Sequence, residues 1–229
     1  MDDATQTTRQ LVHQLQNTLL AVLQVEFSNG SNSNCRPLGD VLVYISDGPF
    51  GSKLKTAHYS DAGARVVRLQ NIGAGEFDNT DKAFVPYDYY EELNRYSLMP
   101  GDIVVAGLGD ETHAVGRACQ TPDTLGPAIH KADCFRLRAN SSVISQEYLL
   151  WFLNSPNARR QIHRITQGTT RFRVNTTNIR KLHIPVVSFH EQQRIIETVN
   201  SVRQSLRAAT QAITDKQKLT QELLTHVLG

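Results

Sequence analysis

The stretch SFHEQQRIIETVNSVRQSLRAATQAITDKQKLTQELLTHVL, Ser188 to Leu228, decides the architecture. It opens on Ser188-Phe189-His190-Glu191, the S-x-x-E order of a capping box, in which hydroxyl and carboxylate satisfy the orphan amides of a helix start. Behind it Ile195, Val199, Val202, Leu206, Ala209 and Ile213 recur four and three residues apart, the repeat of a coiled coil. Lys216 interrupts this seam, and Leu219, Leu223 and Val227 resume it in a shifted phase, like a stutter. A helix of about 38 residues runs ~57 Å, more than a domain of this size can bury. The seam therefore calls for a partner helix. Residues 8–27 offer one, from within the chain or from a second copy: Val12, Leu15, Leu19 and Val22 follow the same spacing, with Gln, Asn and His between. The competing arrangement folds the long helix back onto its own domain.

The two helical segments bracket a mixed region. Ser28-Asn29-Gly30-Ser31-Asn32-Ser33-Asn34 is a polar linker, so the chain divides into a leading helix and linker (1–34), a globular domain (35–187) and the long helix (188–229). Short apolar runs predict strands at Val41–Ile45, Arg65–Leu69, Asp102–Ala106, Ala114–Cys119 and Cys134–Leu137. Turn chemistry separates them, as in Asp47-Gly48-Pro49-Phe50-Gly51 and Met99-Pro100-Gly101-Asp102. Ser145 can cap a helix over Gln146–Asn154, and Ser155-Pro156 restarts one to about Ile165. The fold class expected is α+β: a globular domain with mixed β-sheet and helices, then a long coiled-coil-forming α-helix.

From Tyr148 to His190 there are 43 residues without an Asp or Glu, yet with Arg159, Arg160, Arg164, Arg171, Arg173, Arg180 and Lys181. The whole chain carries only +2, so positive charge is concentrated here, as on a surface that meets phosphates. A solvated basic face that touches nothing is the plain alternative. Within the stretch, Gln167-Gly168-Thr169-Thr170-Arg171-Phe172-Arg173 is a hydroxyl-rich turn flanked by guanidinium groups.

Other chemistry is missing. Cys35, Cys119 and Cys134 are widely spaced without a C-x-x-C pair, which points away from disulfides or structural zinc and toward a reducing cytoplasm. No secretory signal and no apolar run long enough to span a bilayer is seen. Gly48-Pro49-Phe50-Gly51-Ser52-Lys53 lacks the order of a phosphate loop, and Gly107-Leu108-Gly109 lacks the third glycine of a dinucleotide site. Asp110, Glu111 and His113 cluster, but without further ligands a solvated turn is the simpler reading. No complete catalytic constellation and no metal site is expected.

In this arrangement the chain resembles the specificity subunits of type I restriction–modification systems. Leu38-Gly39-Asp40-Val41 followed by Ile45-Ser46-Asp47-Gly48-Pro49-Phe50-Gly51-Ser52-Lys53-Leu54 looks like the opening of a target recognition domain. Val67-Arg68-Leu69-Gln70-Asn71-Ile72 and Leu98-Met99-Pro100-Gly101-Asp102-Ile103-Val104 look like its middle. Gly168-Thr169-Thr170, Leu182-His183-Ile184-Pro185 and Glu191-Gln192-Gln193-Arg194-Ile195-Ile196 look like the passage into a spacer helix. Two departures stand out. Val186-Val187-Ser188 replaces a second proline pair, and a full subunit resembles two recognition domains and two spacer helices where this chain has one of each. Both a natural half-size subunit and a fragment fit.

The resemblance implies a DNA-reading subunit without its own catalytic site. It would recognise one half of a bipartite double-stranded target and position a methyltransferase subunit, with a restriction/translocase subunit as a further partner. The chain itself would hold no cofactor; S-adenosylmethionine would sit on the methyltransferase. A homodimer would form through 188–228. The DNA face would comprise Lys53, Lys55, Thr169, Thr170, Arg171 and Arg173, with Arg68 and Asn71 beside them, since guanidinium groups bridge guanine O6 and N7 or clamp phosphates. The rival readings are a protein-binding scaffold dimerising through the coiled coil, and an enzyme with an unfamiliar site.

Overall fold

A computed structural model describes residues 3–28, 34–166 and 172–228. In chain order the elements are α1 (Asp3–Glu26), β1 (Asn34–Pro37), β2 (Leu42–Ser46), β3 (Ala64–Val67), β4 (Phe84–Val85) and α2 (Tyr87–Glu92). There follow β5 (Ser97–Leu98), β6 (Ile103–Ala106), β7 (Leu108–Gly109), β8 (Ala118–Gln120), β9 (Ala128–His130) and β10 (Cys134–Ala139). The last third holds α3 (Gln146–Asn154), α4 (Pro156–Ile165), β11 (Phe172–Arg173), α5 (Thr176–Arg180), β12 (His183–Val186) and α6 (Phe189–Leu228). The α+β class holds.

Two four-stranded sheets form the body. One is antiparallel, ordered β2-β10-β6-β8; the other is mixed, ordered β4-β3-β9-β5, with β3 and β9 parallel. The expected strands appear within a few residues, but the run from Ala114 pairs only from Ala118, because Gly116 (φ +77°) turns the chain just before it. Strand β9 is not among the expected ones; three residues are too few to show alternation. The expected helix caps are present: Ser145 Oγ accepts from Tyr148 N–H (3.1 Å) and Ser155 Oγ from Ala158 N–H (3.2 Å). At α6, Ser188 Oγ accepts from Glu191 N–H (3.3 Å), while the Glu191 carboxylate pairs with Arg194 (2.8 Å).

The partner that the seam of α6 requires is α1 of the same chain. Leu23 and Phe27 are buried in one core with Tyr148, Phe152, Ile195, Ile196 and Val199. The Phe27 ring lies 4.9 Å from Tyr148 and 5.9 Å from Phe152. Arg194 bonds to the Glu26 carboxylate (2.6 and 3.1 Å), so the end of α1 meets the start of α6 and the two helices run antiparallel. Ala209 is buried although it lies more than five turns out along α6. The 24 residues of α1 span ~36 Å and the 40 of α6 ~60 Å, so the tip of α6 runs past its partner. There Leu219 and Leu223 are 57% and 56% exposed. No helix among the described residues is long and apolar enough to cross a membrane.

Gln192 fastens α6 to the body. Fully buried, it accepts from Ser145 N–H (2.8 Å) and donates to the carbonyls of Val143 (3.2 Å) and Val187 (3.0 Å). Three backbone groups would lose their partner together on truncation. Gln192→Ala is expected to lower unfolding free energy by about 2–4 kcal/mol, read from urea midpoints; a loss below about 0.5 kcal/mol would contradict this.

Candidate nucleic-acid interface

Strand order brings five chain segments to one edge. Strands β2, β3, β6 and β9 end there and β10 begins there, since Ser46 pairs with Arg136, Val67 with His130 and Ala106 with Cys134. Lys131 N–H donates to Val67 O (2.9 Å) within the mixed sheet and Gly107 N–H to Asp133 O (2.7 Å) within the antiparallel one, and the short segment 131–133 carries the chain from one sheet to the other at this edge. The β7–β11 pair lies across it, with Arg173 opposite Leu108. Close approach explains Gly48: a Cβ would stand 2.2 Å from the Lys131 carbonyl carbon.

Two acids and one arginine form the centre. Asp47 Oδ1 accepts from Gly48 N–H (2.7 Å) and Asp133 N–H (2.9 Å). Burial pushes the Asp47 carboxyl up to about 6, against the pull of those two amides. Arg173 Nη2 donates to Asp133 Oδ1 (2.7 Å). Beside them a shallow depression of about 380 Å³ is lined by Leu69, Gln70, Leu108, Gly109, His113 and neighbours. Its floor is Arg117, which is buried and donates to the carbonyls of Ile72 (2.6 Å) and Leu69 (2.9 Å). Gln70 and His113 are exposed on the rim. Asp110 closes a turn, accepting from the amides of His113 (2.7 Å) and Thr112 (2.9 Å). Hydrogen bonds, first of all from the Thr112 hydroxyl, hold its carboxyl well below the usual range.

The expected DNA-face residues separate. Arg173 stands at the strand-end edge. Lys53 and Lys55 are exposed on the loop that leaves Gly48; the Lys53 carbonyl accepts from Tyr89 Oη (2.6 Å), which draws that loop along the flank of the second sheet. Thr169, Thr170 and Arg171 lie outside the described residues. Asn71 is corrected: it is fully buried, its Oδ1 accepting from Arg68 N–H (2.9 Å) and its amide donating to the carbonyls of Asp78 (2.9 Å) and Asp81 (2.8 Å). Arg68 is half-buried and its guanidinium is spent on Asp81, with Nε 3.0 Å from Oδ2. Both hold the 69–81 loop rather than face outward.

The acid-free stretch also divides. Arg159 is structural: it donates to Val115 O (2.9 Å) and Asn154 Oδ1 (3.0 Å), and burial brings its pKa down to about 10. Arg160, His163, Arg164, Arg180, Lys181 and His183 remain exposed. Asp47, Asp133 and Gln70 are site residues that the sequence did not single out; only the Asp47 turn carried any signal. Among the described residues no group of three His, Cys, Asp or Glu is placed to hold a metal.

Comparison with known proteins follows the same line. A family model described as "Type I restriction modification DNA specificity domain" matches residues 51–218, well over half of the chain. The type I restriction enzyme StySPI specificity subunit of Salmonella potsdam is 26% identical over 166 residues, 72% of this chain and 35% of its own. The MjaVIII specificity subunit of Methanocaldococcus jannaschii is 23% identical over 161 residues, 70% of this chain and 38% of its own. The chain thus spans little more than a third of these relatives. The HsdS subunit of Thermoanaerobacter tengcongensis has the same fold, with TM-score 0.62 at 14% identity over 97% of this chain and 53% of that one.

The raised Asp47 pKa sets a pH dependence. Below about pH 4 the carboxyl is protonated folded and unfolded, and burial costs nothing; between about 4 and 6 only the unfolded state ionises, so stability falls as pH rises. Asp47→Asn keeps an acceptor and escapes that cost. Relative to wild type it should gain about 1 kcal/mol, discounted for solvent screening, between about pH 4 and pH 7. Urea unfolding at both pH values checks this, and a pH-independent difference would refute it.

Proposed function

Since the chain belongs to the family of type I restriction modification DNA specificity domains, we propose that it reads one half of a split double-stranded DNA target. The observation that carries this reading is the strand-end edge, where Arg173, Gln70 and His113 stand outward on loops locked to two sheets. Side chains presented by rigid elements can discriminate base edges, whereas mobile ones hold only a general affinity. The exposed cations of α4 and α5, with Lys181 just after α5, would meet phosphates, which fix register without reading sequence.

In this reading the chain performs no chemistry itself. It presents DNA to a methyltransferase subunit that supplies S-adenosylmethionine, and a restriction/translocase subunit joins the same assembly. The α1–α6 arm is the docking element. A scaffold function resting on an unpaired coiled coil loses its ground, because α1 already covers the inner part of the seam. The outer tip is different: Leu219 and Leu223 lie one turn apart and are exposed among the described residues. A second copy meeting it across a two-fold axis would place two recognition domains at a fixed separation.

Two outcomes follow. The full chain should bind duplex DNA with log affinity falling linearly in log salt, and Arg164→Ala and Lys181→Ala should each reduce the slope by about one. Salt-independent binding, or no binding, would overturn the DNA-reading function. By light scattering the chain should be a dimer that Leu219→Glu with Leu223→Glu converts to monomer; an unaltered mass would place the interface elsewhere.

A further inference from the structure

Asp133 is the one non-glycine residue with positive φ (+63°) among the described residues. An L side chain there costs energy that glycine would not incur, and such outliers gather at functional sites. Aspartate is tolerated in this conformation better than most residues. Its carboxylate does not repay the cost locally, because it is not used to close its own turn. The turn is closed by its own backbone, Cys134 N–H donating to Lys131 O (3.1 Å), and braced from outside by Asp47 Oδ1 accepting the Asp133 N–H (2.9 Å) and by the Asp133 carbonyl accepting the Gly107 N–H (2.7 Å). With its backbone held on both sides, the Asp133 carboxylate has little freedom, and its side chain is only 18% exposed.

What the carboxylate does hold is Arg173, at 2.7 Å, while the arginine side chain remains 55% exposed. The arginine backbone is fixed as well. Strand β11 pairs with β7, and the next residue, Val174, is buried with its N–H on Gly107 O (3.0 Å). Both partners therefore hang from the same residue, Gly107, one through each of its backbone groups.

We propose that Asp133 is a positioning residue that aims the Arg173 guanidinium at the O6/N7 edge of a guanine and turns it away from phosphate. The inference rests on the DNA-reading function and assigns a division of labour within it. A phosphate-binding arginine gains from full positive charge, whereas Asp133 cancels that charge and repels an anion. A guanine edge is uncharged and takes two donors, so it accepts a guanidinium that is half engaged and held still. Charge for phosphate comes instead from the acid-free surface around Arg164, Arg180 and Lys181.

This assignment makes specific and general affinity move in opposite directions. Asp133→Asn keeps the size and the tolerance of positive φ but removes the negative charge. The full chain, with whatever subunits co-purify with it, is exposed to a pool of duplexes carrying a randomised segment, and the bound fraction is sequenced. A duplex of unrelated fixed sequence gives general affinity as a function of salt. Wild type should enrich a guanine that Arg173→Ala no longer prefers. Asp133→Asn should lose the same preference by on the order of tenfold to a hundredfold, with general affinity unchanged or higher. Asp133→Gly, which relieves the backbone, should fold at least as stably as wild type and show the same loss. Preference intact in Asp133→Asn, or a loss of specific and general affinity in equal proportion, would overturn the inference and leave Asp133 a structural residue. A wild-type chain that enriches no sequence would instead overturn the DNA-reading function on which it stands.

Discussion

Phe27 packs between Tyr148 and Phe152 at the root of the helical arm, and its carbonyl accepts from the buried Asn157 amide (2.7 Å). Removing that contact would free the end of α1, uncover Ile195, Ile196 and Val199, and leave α6 without its inner partner. The remaining fastenings reinforce the same joint. Glu26 takes Arg194, Glu147 takes the Asn200 amide (2.7 Å), and Arg203 lies 4.5 Å from the Trp151 ring while pairing with Glu76 (2.8 Å). Gly75 (φ +87°) permits that last contact, since a Cβ would fall 2.6 Å from the Trp151 ring. The arm and the strand-end edge are thereby parts of one frame, so whatever shifts the arm also shifts where the strand-end loops point.

The segments that carry the family likeness serve this frame. Asp102 accepts from Met99 N–H (2.8 Å) and holds Arg138 (2.5 Å), which makes the Met99-Pro100-Gly101-Asp102 turn a structural bracket. Asn71 and Gln192 are buried and spent on backbone groups, and Gly48 is needed so that two loops can touch. These buried groups hold the interior in one shape, while the exposed rim takes no part in that bracing. Charge counting meets the same division. Arg68, Arg117, Arg138 and Arg159 are each bound to protein carbonyls or carboxylates. Only their exposed counterparts are available to a polyanion.

Long periodic helices and their caps were legible from local pattern, because a capping hydroxyl and a four-three apolar repeat act over a few residues. Thus α3, α4 and α6 lie where Ser145, Ser155-Pro156 and Ser188 placed them. The parallel strand β9 and the β1–β12 pair were not legible. Each is short, and each depends on a neighbour far along the chain, Arg65 for Ala128 and Ile184 for Arg36. Asn71 was misread for a related reason: an amide in a loop looks like a base reader until its three hydrogen-bond partners are known.

The sequence by itself determined the class of fold, the long C-terminal helix, and the concentration of positive charge between Tyr148 and His190, since composition and periodicity are properties of the chain. Only the tertiary structure decided which cations reach solvent, that α1 rather than a second copy lies against the inner seam, and that Asp133 meets Arg173 forty residues on. Those outcomes follow from strand order and burial. They bring together groups whose distance in sequence carries no trace of their distance in space.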